Sequence, residues 1–249
     1  MAWARALNRL SVSAASLTRS GRGCVDLLGV TSHRLLAALL GALAAATVAI
    51  GAAAPAQAAT ISARSLLWKL GVAAENNAGY DRTRFQHWID ANGDCQNTRH
   101  EVLITESRVT PTYTSSRCTV RAGKWVSPWD GRTWTNPLDV DIDHHVALAE
   151  AWGSGARTWT STDRRRYAND LYGPSLNAIT DNLNTAKSAY DPAQWLPPLA
   201  SSRCTYAVYW VQVKYRWRLS VDTAERNTLS SILSGSCGSR SITIPARAR

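Results

Sequence analysis

After residue 59 the sequence has no C-x-x-C pair, no H-E-x-x-H, no heptad run, no internal repeat and no low-complexity block. Each absence removes a class of protein. Without C-x-x-C there is no zinc knuckle, and without H-E-x-x-H there is no helix-borne zinc protease site. Without heptads or repeats, neither a coiled coil nor a solenoid is expected. Methionine is nearly missing too, because Met1 is the only one. No internal methionine therefore offers a later start, and a start at Val25 or Val30 needs an alternative codon.

Long apolar runs are also scarce, with one exception near the start. Residues 35–54, "LLAALLGALAAATVAIGAAA", follow Arg34 and lead into "PAQAA", where Ala56 and Ala58 form an A-x-A site. Charge, apolar core and small residues in that order predict a signal peptide over residues 1–58, cut after Ala58 and implying a secreted, extracellular protein. The competing reading is a membrane anchor, since about 20 apolar residues span a bilayer. The immediate A-x-A favours cleavage, which leaves no stable membrane anchor. A start at Val25 or Val30 gives this leader an ordinary length.

The remaining 191 residues, 59–249, suffice for a single domain with its own core. Of 28 Lys and Arg and 18 Asp and Glu, five basic residues and one acid precede residue 59, which leaves a net charge of +6. A basic surface suits nucleic acid and suits an anionic cell wall equally. Cys24 leaves with the leader, and Cys95, Cys118, Cys204 and Cys237 remain as an even set in an exported chain, which predicts two disulfides. Three pairings exist; Cys95 with Cys118 and Cys204 with Cys237 is favoured, because each pair brackets one compact segment.

Periodicity then orders the chain. "ISARSLLWKLGVAAENNAGY" puts Leu66, Leu67, Leu70 and Ala74 on one helical face and stops near Gly79. The loop "DANGDCQNTRHE" and the apolar "VLITES" follow. Residues 120–137 read as a hairpin turning at Asp130-Gly131. A helix around Glu150 and Trp152 ends near Gly153 or Gly155. "STDRRRYANDLYG" is a second helix capped by Ser161 or Thr162 and closed by Gly173. "SLNAIT" is a strand and "DNLNTAKSAYDPAQW" a turn into a helix. Residues 205–218 and 221–233 are two helices, the latter capped by Ser220. The order predicts an α+β domain.

The chemistry concentrates in residues 138–152, "LDVDIDHHVALAEAW". On a strand, Asp139, Asp141 and Asp143 face one way and Val140, Ile142 and His144 the other. Twist at the strand end brings Asp143 and His144 to one cleft. Asn184 and Lys187 follow about 40 residues later on a helix start. The competing reading is a charged edge strand.

"DVDIDHHVALAEAW" followed by "NLNTAKS", with "YDRTRFQHWIDANGDCQNTRHEVLI" before and "DPAQWLPP" after, resembles the HNH endonuclease superfamily. More narrowly, it resembles exported actinobacterial HNH proteins related to the C-terminal nuclease of GmrSD-type enzymes, over residues 75–237. The resemblance implies a ββα-metal core, at about residues 138–195, holding one divalent cation. It implies His144 as general base, Asp143 as a metal ligand and Asn184 as the second ligand. Carboxylate and amide oxygens suit Mg²⁺, with Mn²⁺, Ca²⁺ and Zn²⁺ as alternatives. A neutral imidazole takes a proton from water, so cleavage is expected to rise through an ordinary histidine pKa. Lys187 or Arg99 is expected to offset phosphate charge.

The chain departs from that pattern twice. The family's central asparagine, nine residues before the second ligand, corresponds to Ser175. His145 and Ala147 stand where relatives carry an apolar residue and a proline, and His145 becomes the alternative base. No helix-turn-helix or zinc-finger reader accompanies the motif, so little sequence specificity toward DNA or RNA is expected. No protein partner is evident.

Other features carry competing readings. Asp90, Asn92, Asp94 and Glu101 fit positions 1, 3, 5 and 12 of an EF-hand-like loop, a second cation loop in which Cys95 replaces the glycine at position 6. The plainer reading is an Asp/Asn/Gly turn tied by its cysteine. Trp125, Trp129 and Trp134 are candidates for an exposed stacking platform. They also support the runner-up function, a non-catalytic wall- or polysaccharide-binding module. His87 and His100 read as structural.

Overall fold

The structure, a computed structural model, describes residues 58–249. Residues 1–57, which hold the alternative starts and all but the last residue of the expected signal peptide (1–58), lie outside the described residues. The described residues make one compact unit, of mixed α and β character with four two-stranded antiparallel sheets. No helix of the described residues is long and apolar enough to cross a membrane.

Strand β1 (Thr60–Ser62) pairs with β8 (Ser241–Thr243), so the two ends of the unit are tied together. Helix α1 (Ala63–Leu67) starts where the Ser62 hydroxyl accepts the Ser65 N–H. Leu66, Leu67 and Leu70 are buried as the periodicity predicts, but the helix ends at Leu67 and Ala74 is exposed. Beyond it the chain extends to bond residue 221: Ala73 N–H donates to the Val221 carbonyl and Val221 N–H to Gly71. Backbone in a helix has no such groups free for a distant partner.

Helix α2 (Thr98–Glu106) covers "VLITE" and is capped by Asn97. Strand β2 (Thr112–Tyr113) pairs with β3 (Val120–Ala122), and β4 (Trp125–Val126) pairs with β5 (Thr133–Trp134). The turn at Asp130-Gly131 therefore forms, with Gly131 at φ 75°, but its hairpin spans 125–134 and Val120 pairs backwards instead. Trp125 and Trp129 are fully buried and Trp134 partly so. The expected surface platform is absent for a physical reason: the Trp125 indole donates to the Leu103 carbonyl inside the core.

Strand β6 (Val140–His144), helices α3 (Leu148–Gly153) and α4 (Ser161–Ala168), strand β7 (Leu176–Thr180) and helix α5 (Asp181–Lys187) follow in order. Thr160 caps α4, one residue ahead of the expected cap. Helix α6 (Arg203–Trp217) ends at Arg218 in the left-handed region. Helix α7 (Thr223–Ile232) is held by a capping box of Asp222 and Glu225 rather than by Ser220, and the short α8 (Gly235–Gly238) leads to β8. The disulfides are Cys95–Cys118 and Cys204–Cys237, as favoured from the spacing.

Strands β6 and β7 lie between two cores. Val140, Ile142, Leu176 and Ala178 pack with Val102, Leu103, Val120 and Trp125. Ile179 joins the larger core built around α6 with Tyr206, Trp210 and Trp217. Both faces of this pair are thus buried, and a charged edge strand in solvent is not what the chain forms.

Candidate active site

The strand–strand–helix succession positions the chemistry. In the β6–β7 register Asp143 stands opposite Asn177, and Asp141 opposite Ile179. Asp141 and Asp143 share a face by strand alternation, and α5 packs against both strands. The Asn184 amide donates to Asp141 Oδ2 at 3.0 Å. Lys187 Nζ donates to Asp143 Oδ1 at 2.8 Å and to the His144 carbonyl at 3.0 Å. One turn of α5 separates Asn184 from Lys187, and that turn matches the two-residue spacing of the aspartates.

Asp143, His144 and Asn184 line one cavity of about 300 Å³, together with Tyr80, Arg82, Leu148 and Ser188. Asp143 is buried, and its Oδ2 has no hydrogen-bond partner. Burial pushes the Asp143 carboxyl up, and Lys187 pulls it down. Because the Asn184 nitrogen is committed to Asp141, its oxygen remains as an acceptor. An orphaned carboxylate oxygen and an uncommitted amide oxygen on one cavity fit a hard cation.

His144 is placed by a backbone contact. Its Nε2 lies 2.9 Å from the Ala168 carbonyl. A carbonyl only accepts, so Nε2 carries the proton and Nδ1 the lone pair. The ring lies between Trp88 and Tyr167. Burial, opposed by the Ala168 bond and aided by Arg82, pushes its pKa down to about 3. Burial thus favours the neutral imidazole below the ordinary histidine range that the sequence leads one to expect.

The structure redistributes the other expected roles. His145, the alternative base, is fully buried, does not line the cavity and donates from Nε2 to the Tyr206 carbonyl. It packs among Trp129, Tyr206 and Trp210 as a core residue. Arg99 turns away from the cavity: its guanidinium donates to the carbonyls of Pro137 and Val140 and so fixes the entry to β6. Lys187 has no exposed surface and is spent on Asp143 and His144. Lys187 is thus sealed from a phosphate, and Arg99 is turned to the backbone.

Ser175 still braces the strand loop, by another route. Its hydroxyl donates to Asp170, and its carbonyl accepts the His145 N–H. In the 90–101 loop, Asp90 accepts the N–H groups of Gly93 and Cys95, and Asp94 accepts that of Gln96. Among the described residues the acid groups whose oxygens gather to the spacing one cation needs are Glu75 with Asp191 and Asp222, and Glu75 with Glu150 and Glu225; Asp90, Asp94 and Glu101 do not form such a group. The loop folds as an Asp/Asn/Gly turn with Cys95 at φ 71°, and the Asn92 amide donates to Asp94 and Glu101. His100 accepts the Val120 N–H, which makes it structural as expected.

Sequence reasoning gave no role to Tyr80, Arg82, Asp141 or Asn177. Asp141 had a signal, the alternation itself. Asn177 and Arg82 had none, because register and a long-range approach set their places.

The family description "GmrSD restriction endonucleases, C-terminal domain" matches residues 97–232, which include Asp143, His144 and Asn184. The chain belongs to this family. An uncharacterized secreted protein of Arthroderma benhamiae is 46% identical over 173 residues, covering 69% of this chain and 83% of that protein. No solved structure matches the chain. Within this nuclease family, the cavity on β6 and α5 falls inside the matched segment, whereas Tyr80 and Arg82 precede it.

Proposed function

We propose that the protein is a secreted, metal-dependent endonuclease of the HNH type that hydrolyses phosphodiester bonds in DNA, with RNA as a second substrate, and with little sequence preference. The observation that carries this reading is the convergence of Asp143, His144 and Asn184 on one cavity. Membership of a restriction-endonuclease domain family supports the reaction class. A relative named as secreted supports the location. The domain is residues 59–249, with a ββα-metal core at about 138–195.

In this reading His144 Nδ1 takes a proton from a water whose oxygen attacks phosphorus, and the bond from phosphorus to the 3′ oxygen breaks. The Ala168 carbonyl keeps the ring in the tautomer that exposes the lone pair to this use. A phosphate beside the ring adds negative charge, which raises the imidazole pKa from its buried value toward that of a working base. Lys187 opposes the burial that pushes the Asp143 carboxyl up, and Asp141 orients the Asn184 amide so that its oxygen stays available. Asp143 and Asn184 would hold one divalent cation, Mg²⁺ by ligand type. Bound there, it supplies charge that polarises a phosphate oxygen and steadies the leaving 3′ oxygen.

The direct test is incubation of the purified, oxidised protein with supercoiled plasmid and with RNA, in Mg²⁺ and in EDTA. Nicked and linear products that need the cation would support the reading. Intact nucleic acid with Mg²⁺, Mn²⁺, Ca²⁺ and Zn²⁺ alike would overturn it.

A further inference from the structure

Phosphodiester hydrolysis needs positive charge that faces the phosphate, and the two cations that the sequence offers for this, Arg99 and Lys187, are both engaged elsewhere. Arg99 is bound to two carbonyls, and Lys187 is sealed against Asp143. Arg82 differs from both. It lines the same cavity as Asp143, His144 and Asn184, it is exposed, and no ion pair among the described residues involves it. Its neighbour Asp81 does not neutralise it. That carboxylate is turned to the Thr83 N–H at 2.8 Å and the Thr83 hydroxyl at 2.7 Å, where it caps the short turn Arg82–Arg84.

The turn is held from its far side as well. Phe85 is buried against Trp152 and Tyr167, and the Arg84 guanidinium lies over the Trp152 ring. Arg82 therefore presents a guanidinium that makes no ion pair among the described residues, beside Tyr80 and on an anchored turn, in the lining of the cavity that also holds Asp143, His144 and Asn184. Tyr80 lines the same cavity.

We propose that Arg82 is the phosphate-binding residue of this site, its guanidinium gripping non-bridging oxygens of the nucleic-acid backbone as the reaction proceeds. The inference rests on the endonuclease reading and adds the group that recognises its substrate. A guanidinium presents paired N–H donors that match two phosphate oxygens, which a lysine cannot do. Such a contact reads backbone and not bases, so it is common to DNA and RNA.

The test compares wild-type, R82A and R82K proteins in Mg²⁺-dependent cleavage of plasmid DNA and of bis(p-nitrophenyl) phosphate. Removing a donor to a developing oxyanion costs about 100- to 1,000-fold. R82A is expected to lose that much in kcat/KM on both substrates, with its urea unfolding midpoint and its Mn²⁺ affinity unchanged. R82K is expected to regain part of the loss, and added guanidinium ion to restore part of the R82A rate. Wild-type cleavage accompanied by undiminished R82A cleavage would overturn the role of Arg82 and leave the endonuclease reading standing. A loss of rate in R82A with a lowered unfolding midpoint and no rescue by guanidinium would overturn it too, by showing a structural role. Failure of the wild-type protein to cleave either substrate would overturn the endonuclease reading and this inference with it.

Discussion

Lys187 is the side chain on which the site's electrostatics turn, and replacing it by methionine gives a worked prediction. The substitution keeps the length of the stem, so little packing is lost. It removes the ammonium that lies 2.8 Å from Asp143 Oδ1 with neither partner meaningfully exposed. Breaking a buried pair from one side costs about 3–5 kcal/mol, because the remaining charge is stranded. With a urea slope of about 2 kcal/mol per M, the unfolding midpoint should fall by about 2 M. The double variant D143N/K187M carries no stranded charge. It leaves the His144 carbonyl without its donor, which costs about 1–3 kcal/mol. It should therefore be more stable than K187M alone. Equilibrium urea unfolding of wild type, K187M, D143N and the double variant, with disulfides intact, closes the cycle. A loss below about 1 kcal/mol in K187M, the behaviour of a solvated pair, would refute the reasoning, as would a double variant no more stable than K187M.

The disulfides and a buried acidic group give two more expectations. Loop-closure entropy assigns about 3–4 kcal/mol to each bridge, given separations of 23 and 33 residues; C95S/C118S and C204S/C237S should each lose that much in calorimetry or urea unfolding, and a loss below about 1 kcal/mol would contradict the assignment. Glu75 is pushed up to about 8 by burial and by the neighbouring Glu150. A carboxyl raised in the folded state stabilises fully below its ordinary value of about 4.5, and that contribution is lost as pH rises through about 8. Wild-type protein should therefore lose stability relative to E75Q between pH 5.5 and 8.5, by at most about 1.4 kcal/mol per pH unit; midpoints that stay parallel across this range would show that Glu75 is not so perturbed.

The parts of the site that were legible are those written in local pattern. Alternation through "DVDIDH" and the strand "LNAIT" predicts β6 and β7, and the residue types of Asp143, His144 and Asn184 declare their chemistry. Of three possible disulfide pairings, the one favoured by compact bracketing is the one that forms. What the sequence hid depends on burial and distance. An arginine committed to backbone carbonyls and one facing a cavity are spelled alike, so Arg99 was favoured and Arg82 passed over. His144 and His145 are adjacent and identical, yet one contacts Ala168 beside the cavity and the other is sealed under Tyr206. The helix from residue 63 read as reaching Ala74, because nothing local announces that Gly71 and Ala73 bond to Val221. Trp125 and Trp129 sit in a polar, turn-rich stretch and are nonetheless core.

The central claim is that His144 and the cavity around it form a nuclease active site. The most direct measurement is single-turnover plasmid nicking by wild-type and H144A proteins in Mg²⁺, after circular dichroism and urea unfolding establish that both are folded. The account predicts cation-dependent nicking by the wild type and its loss in folded H144A. Nicking by folded H144A at the wild-type rate would contradict it.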